Sequence, residues 1–257
     1  MPSILPANAT DIALQALGQW PLKVHQVPLA LLANVSMQMT TPEALTWFSL
    51  LLNASSYMEW GVGGTIVMAS WRALQYRFVQ RHTGNRVLRI NAVVSRGARM
   101  QELWLNNHLL KRAQATGRLI LHELDASRVL DGLHNRAARV RAYAERVNAS
   151  CCCFDLIVVG GRFREVCMMH ALRLSHSLTT VLVNDSQRFT NHRWRQAASE
   201  FYEVSTTIGT LTVMRPTLRA IRLARTGDSR FERSYTQLLT EASDAVDDTP
   251  RHYSTRV

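Results

Sequence analysis

The chain has 257 residues, of which 47% are hydrophobic, and a formal net charge of +11. That length supports one sizeable core with terminal extensions and leaves little room for two full domains. No apolar run reaches transmembrane length. Four cysteines, three of them consecutive (Cys151, Cys152, Cys153, then Cys167), match neither a disulfide framework nor a zinc site.

Residues 1–40 are apolar but broken by Pro2, Pro6, Pro21 and Pro28, and read as an N-terminal extension with short helices over 9–18 and 28–38. "TTPEALTWFSLLLN" is a capped helix, with Thr41 as cap, Pro42 in the first turn and Glu43 after it. Strands and helices then alternate. "SYMEW" is a strand, 65–81 a helix, "RVLRIN" (86–91) a strand, and 96–114 a helix. "RLILHEL" (118–124) is a strand, 127–148 a basic helix or helix pair, and "FDLIVVG" (154–160) the clearest buried strand. A helix over 162–176, the strand "TTVLVND" (179–185) and a short helix over 190–199 follow. "EFYEVSTTIGTLTVMRP" (200–216) reads as two strands turning near Gly209, then an Arg-rich helix over 217–226 and a polar tail. Such alternation predicts an α/β fold with a mostly parallel sheet covered on both faces and an antiparallel edge hairpin. The expected division is an extension (1–40), a core domain (41–216) and a C-terminal segment (217–257).

Charge is unevenly placed. Residues 1–71 hold one lysine against three acids, while residues 86–146 hold twelve basic residues against five acids. Only Lys23 and Lys111 are lysines; the other 28 basic residues are arginines. A planar guanidinium suits phosphate and carboxylate, so region 86–146 is the candidate face for RNA or another anionic partner. A solvated basic surface accounts for the same pattern. The N-terminus has no basic region before an apolar stretch and no arginine before residue 72, which fits neither a secretory signal nor an ordinary mitochondrial presequence. With the unpaired cysteines, the expected setting is a reducing intracellular compartment, cytoplasmic or mitochondrial.

"YMEWGVGGT" places Gly61, Gly63 and Gly64 where a strand turns into a helix, with Glu59 at the strand end. In open parallel sheets ligands bind beyond the carboxyl ends of the strands. The motif is not G-x-G-x-x-G and lacks a P-loop lysine, which disfavours dinucleotides and nucleoside triphosphates. A tight turn without a ligand would look the same.

The stretch "MTTPEALTWFSLLLNASSYMEWGVGGT" resembles the opening of a class I S-adenosylmethionine-dependent methyltransferase-like family whose first motif has the form "YLEWGSGGST". "FDLIVVGGRFREVCMMHAL" resembles that family's "DLVLVDGRFRVACAL" segment, and residues 200–216 its closing hairpin. The resemblance spans about residues 40–216. It implies a three-layer Rossmann-like methyltransferase fold, a seven-stranded sheet with an antiparallel last strand, and S-adenosylmethionine over Glu59, Gly61, Gly63 and Gly64.

Two positions depart from that pattern. Asn91 stands where an acid at the end of the second strand would hold the ribose hydroxyls, and Gly160 stands where the family has an aspartate. Asp125, with Glu123, lies where an adenine contact would be made, or at a solvated strand end. Asp185, Arg162 and Arg164 are candidates for a substrate or partner, or for structural pairing. His170 and His176 read as packed or surface histidines without a third metal ligand. Trp104, Trp194, Phe163 and Phe189 read as core rather than stacking platforms. No metal and no catalytic residue are assigned. The expected function is a methyltransferase-fold pseudoenzyme serving as a binding or scaffolding subunit of a larger, RNA-containing assembly. The alternatives are an active S-adenosylmethionine-dependent methyltransferase of unknown acceptor, and a binder of some other nucleotide-like ligand.

Overall fold

A computed structural model describes residues 39–61, 63–74, 87–96, 107–125, 136–148, 153–184, 186 and 192–244. The first helix, α1 (Thr41–Asn53), is set by its capping box. The Thr40 backbone N–H donates to Glu43 Oε2 at 2.6 Å, so the cap is Thr40, one residue before the expected Thr41. Glu43 is buried, and its other oxygen accepts from Thr210 Oγ1 at 2.8 Å and Leu211 N at 3.2 Å, tying α1 to the far hairpin.

The remaining elements are β1 (Ser56–Trp60), α2 (Gly64–Leu74), β2 (Arg89–Arg96), α3 (His108–Ala115), β3 (Leu119–Asp125), α4 (Arg136–Ala144), β4 (Phe154–Val159), α5 (Arg164–Ala171), β5 (Ser175–Val183), α6 (His192–Phe201), β6 (Tyr202–Ile208), β7 (Leu211–Pro216), α7 (Leu218–Thr226) and α8 (Ser229–Asp244). The seven strands lie in the order β3-β2-β1-β4-β5-β7-β6. Pairing is parallel from β3 to β5, and β7 pairs antiparallel with both β5 and β6. This is the mostly parallel, seven-stranded α/β architecture expected, with its antiparallel edge pair.

Period-two alternation sends Tyr57, Ile90, Ala92, Leu156 and Val158 into a core shared with α1, α2 and α3. Met58, Trp60, Val93, Ile157 and Val159 enter the opposite core with α4, α5, α7 and α8. The result is three layers.

Several boundaries differ from expectation. The second strand runs over Arg89–Arg96, because Ile90 to Val94 continue as one buried run rather than ending at Asn91. Arg96 is therefore strand, and the helix expected over 96–114 is described as α3 only. The helix expected over 162–176 ends in a 3₁₀ turn at Leu172–Leu174, so His176 belongs to β5. The C-terminal segment is not a polar tail over 229–244. Phe231, Tyr235, Leu238 and Leu239, at helical spacing, are buried in the core beside α4 and α5. The Arg173 guanidinium stacks over the Phe231 and Tyr235 rings at 5.2 and 5.0 Å and is ion-paired with Glu232, which docks α8. The helices expected over 9–18 and 28–38 lie outside the described residues. Among the described residues, no helix is long and apolar enough to cross a membrane.

Candidate functional site

The carboxyl ends of β1 and β4 lie side by side, with Trp60 in register with Val159. Gly61 turns the chain at φ +114°, a conformation that L side chains rarely adopt, and donates its N–H to Val93 O at 3.0 Å. Gly63 and Gly64 are buried at the start of α2. The three glycines thus stand at a strand-to-helix turn at the carboxyl end of β1, the position read from the sequence.

Glu59 points to the α1/α2 side and is 4% exposed. Its two oxygens accept from Tyr57 Oη at 2.7 Å and Thr65 Oγ1 at 2.5 Å. Burial pushes its carboxyl up to about 7, with the two hydroxyl donors offsetting part of the shift. The acid is therefore engaged by the first turn of α2 and by its own strand. Tyr57 was not singled out from the sequence, although its spacing of two from Glu59 places both on one face.

The turn after β4 is more crowded. A Cβ at Gly161 would lie 2.3 Å from Tyr143 Oη and 2.8 Å from Trp60 O, and a Cβ at Gly61 would lie 3.3 Å from Gly161 Cα. The β1 and β4 turns thus pack backbone to backbone, with Tyr143 of α4 laid over them. The Tyr143 ring meets Phe163 edge-on at 5.8 Å. Phe163 caps α5 at φ 53°, an unusual conformation for a bulky residue. No local signal marks Tyr143, because its contact with Gly161 spans eighteen positions.

Gly160 follows β4 directly, as expected. Its Cβ position is open, with Trp60 O as nearest atom at 4.0 Å, so packing does not demand glycine there. Arg164 bends back, its Nη2 lying 3.4 Å from Gly160 O, while Arg162 is exposed.

Asn91 does not stand at a strand end. It is third in β2, in register with Met58, and 8% exposed. Its Oδ1 lies 2.8 Å from His122 Nε2 of β3, and burial, helped by nearby Arg146, holds His122 below its ordinary value. The carboxyl end of β2 is Ser95–Arg96, so the expectation that Asn91 stands at the end of the second strand is corrected. Asp125 is the last residue of β3, in register with Arg96, at the expected edge. Asp185, Trp104 and Phe189 lie outside the described residues.

The two histidines separate. His170 is buried, 6.2 Å edge-on to Trp60, with Nε2 3.0 Å from Val147 O, and burial lowers its pKa. His176 sits at the opposite end of the sheet and bonds Asp155 Oδ1 at 2.9 Å. Among the described residues, no group of three His, Cys, Asp or Glu side chains could hold a metal ion.

No family model and no curated protein matches the chain. Among solved structures, a methyltransferase-like protein from Silicibacter pomeroyi is similar at 19% identity. The match covers 70% of this chain and 93% of that one, with a TM-score of 0.42, too loose a superposition to carry residue roles across.

Proposed function

We propose that this chain is a methyltransferase-fold protein without methyl-transfer activity that serves as a binding subunit of a larger, RNA-containing assembly. The observation that supports this reading is the state of the β1–β4 edge. Glu59 is consumed by Tyr57 and Thr65, and Tyr143 lies over the Gly61–Gly161 contact. The turn Gly160–Phe163 supplies no carboxylate. A methyl donor needs little acid–base help, since its sulfonium activates the methyl group; what the protein must supply is binding and alignment. Those are the roles for which this edge has few free groups. Exposed Arg89, Lys111, Arg112, Arg141 and Arg146 give region 86–146 a basic surface in keeping with an anionic partner.

A second reading, an active S-adenosylmethionine-dependent enzyme, is favoured by one observation. The left-handed Gly61 and the glycine start of α2 are kept, and Asp125 closes β3 on the same edge. In that case Gly61, Gly63, Gly64 and Asp125 would hold the cofactor. Calorimetric titration with S-adenosylmethionine and S-adenosylhomocysteine separates the two. The expected result is no heat and no thermal shift at about 1 mM ligand, an affinity weaker than about −4 kcal/mol. Micromolar binding by the wild type would sink the non-catalytic reading. A Gly160→Asp variant, which the open space at Gly160 accommodates, should fold normally and gain binding only if the missing acid is the limiting group.

A further inference from the structure

We propose that the outward face of α7 is a docking surface for the phosphate backbone of a single-stranded nucleic acid. The proposal deepens the reading above, on which it rests, by naming a surface and a partner chemistry at the end of the sheet away from the glycine turn.

Helix α7 begins after Pro216, the last residue of β7, with Thr217 Oγ1 accepting from Ala220 N at 3.1 Å. Because β7 runs antiparallel, its end lies with the first residues of β4 and β5. The last turn of α7 is tied there: Arg225 Nη2 contacts Ser175 O at 2.5 Å and Cys153 Sγ at 2.9 Å. Ala220, Ile221 and Ala224 face the core, while Leu218, Arg219, Arg222, Arg225 and Thr226 are exposed.

The guanidinium groups of Arg219 and Arg222 take no carboxylate or other partner among the described residues. The acids near this end are engaged elsewhere: Glu200 by Arg230 at 2.5 Å and Glu232 by Arg173 at 2.5 Å. Asp228 Oδ1 accepts from Arg230 N at 2.9 Å. Exposed Arg215 precedes the helix, with Glu203 opposite it on β6.

Helix stability does not explain this row. Arg219 lies in the first turn, where the helix dipole disfavours a cation, and that turn holds no acid. Arg219 and Arg222 are an i,i+3 pair of like charge, which is also unfavourable. The arrangement becomes favourable when an external anion supplies the missing charge. Guanidinium forks bind phosphate oxygens bidentately. A protein partner would ask for buried apolar or aromatic anchors, and this face offers only Leu218, 67% exposed. A lipid surface would ask for a broader apolar face than one leucine. Phosphate contacts alone suffice for binding a nucleic-acid strand.

The test is fluorescence anisotropy with a labelled oligouridylate of about 12 nucleotides, titrated with full-length protein at about 50 and about 200 mM salt. An Arg219→Gln/Arg222→Gln variant should bind about tenfold more weakly, with a salt slope shallower by about 1.4, the share of two phosphate contacts on a single strand. An Arg219→Lys/Arg222→Lys variant should keep the slope. A Lys111→Gln/Arg112→Gln variant on α3, altering the other basic region, should lose less. Equal melting temperatures show that the substitutions leave the fold intact, and an Arg219→Ala/Arg222→Ala pair, expected to lose the same affinity and slope, replaces the Gln pair if that folds poorly. Wild-type-like binding by the Gln pair, or an equal loss in the α3 pair, overturns the α7 surface while leaving a nucleic-acid-binding subunit in place. No wild-type binding at low salt overturns the surface and the RNA-containing assembly together. Loss confined to anionic phospholipid vesicles or to polyglutamate, with no oligonucleotide binding, assigns the face to that anion and overturns the proposal.

Discussion

The two ends of β1 and β4 solve the same problem with opposite electrostatics. At the carboxyl ends, Glu59 is fully enclosed and receives two neutral hydroxyl donors, so burial wins and its carboxyl rises to about 7. At the amino ends, Asp155 is about one-third exposed. It gathers Ser55 N at 2.7 Å, Ser55 Oγ at 2.6 Å, Ser56 N at 3.0 Å and His176 at 2.9 Å. Burial raises the Asp155 carboxyl too, but the hydrogen bonds from Ser55, His176 and Ser56 together outweigh it and hold the group below its ordinary value. One end keeps an acid that prefers to be neutral; the other keeps an acid that prefers its charge. Both acids are engaged by neighbouring groups of the fold, Glu59 by Tyr57 and Thr65 and Asp155 by Ser55, Ser56 and His176.

The sharpest way to break the contrast is at the glycine side. Gly161→Ala places a methyl against Trp60 O and Tyr143 Oη, neither of which can withdraw cheaply. The expected loss is about 4 kcal/mol, at the upper end for overpacking. Removing the hydroxyl in a Gly161→Ala/Tyr143→Phe double variant should recover only part of it, because the Trp60 carbonyl remains. Chemical denaturation of the three proteins checks this. Full recovery would mean that the tyrosine alone, and not the backbone contact, closes the turn.

At the amino ends, Asp155→Ala leaves two backbone N–H groups and a serine hydroxyl without their acceptor. A cost of about 3 kcal/mol is expected, since bonds to a charged acceptor are stronger than neutral ones but water reaches this site. His176→Ala, which removes one of the four partners, should cost about 1 kcal/mol. The folded-state pKa of Asp155 is depressed, so its contribution is present above the unfolded value of 3.8 and is lost as pH falls below it. If Asp155→Ala were as acid-labile as the wild type, the site would have no electrostatic role.

The sequence made much of this architecture legible, and the misses have physical causes. β1, β4 and the β6–β7 hairpin are bounded by glycines or charged residues and stand out from their neighbours. Asn91 interrupts the apolar run of β2 in the sequence, yet one buried amide with a partner such as His122 does not end a strand. The average polarity of α8 hides the spacing of Phe231, Tyr235, Leu238 and Leu239. The helical pattern before His176 is ended by a three-residue 3₁₀ turn that no local residue announces. At the site, the glycines announced the turn, but nothing local announces that Tyr143 lies on Gly161 or that Glu59 is spent on Thr65. Those contacts belong to the packing of separate layers.

The carboxyl-end acid is tested through its pH dependence. The folded-state pKa of Glu59 is raised, from 4.5 to about 7, so the folded chain holds a proton that the unfolded chain has lost between those values. Stability from this group is therefore full below the unfolded value, declines as pH rises through the window, and is constant above it. The decline is on the order of 2 kcal/mol, taking some relaxation around the charged form into account. Glu59→Gln keeps the shape, and the Tyr57 and Thr65 hydroxyls can rotate to accept from the amide. The variant should match the wild type near about pH 5 and exceed it by on the order of 2 kcal/mol near about pH 8. Asp155 and Glu43, both held below their ordinary values, change stability only at more acidic pH, and the lowered His122 and His170 act alike in both proteins and cancel in the difference. Parallel stability curves for wild type and Glu59→Gln from pH 5 to 8 would mean that Glu59 is charged in the folded chain, as Asp155 is, and the contrast between the two ends would collapse.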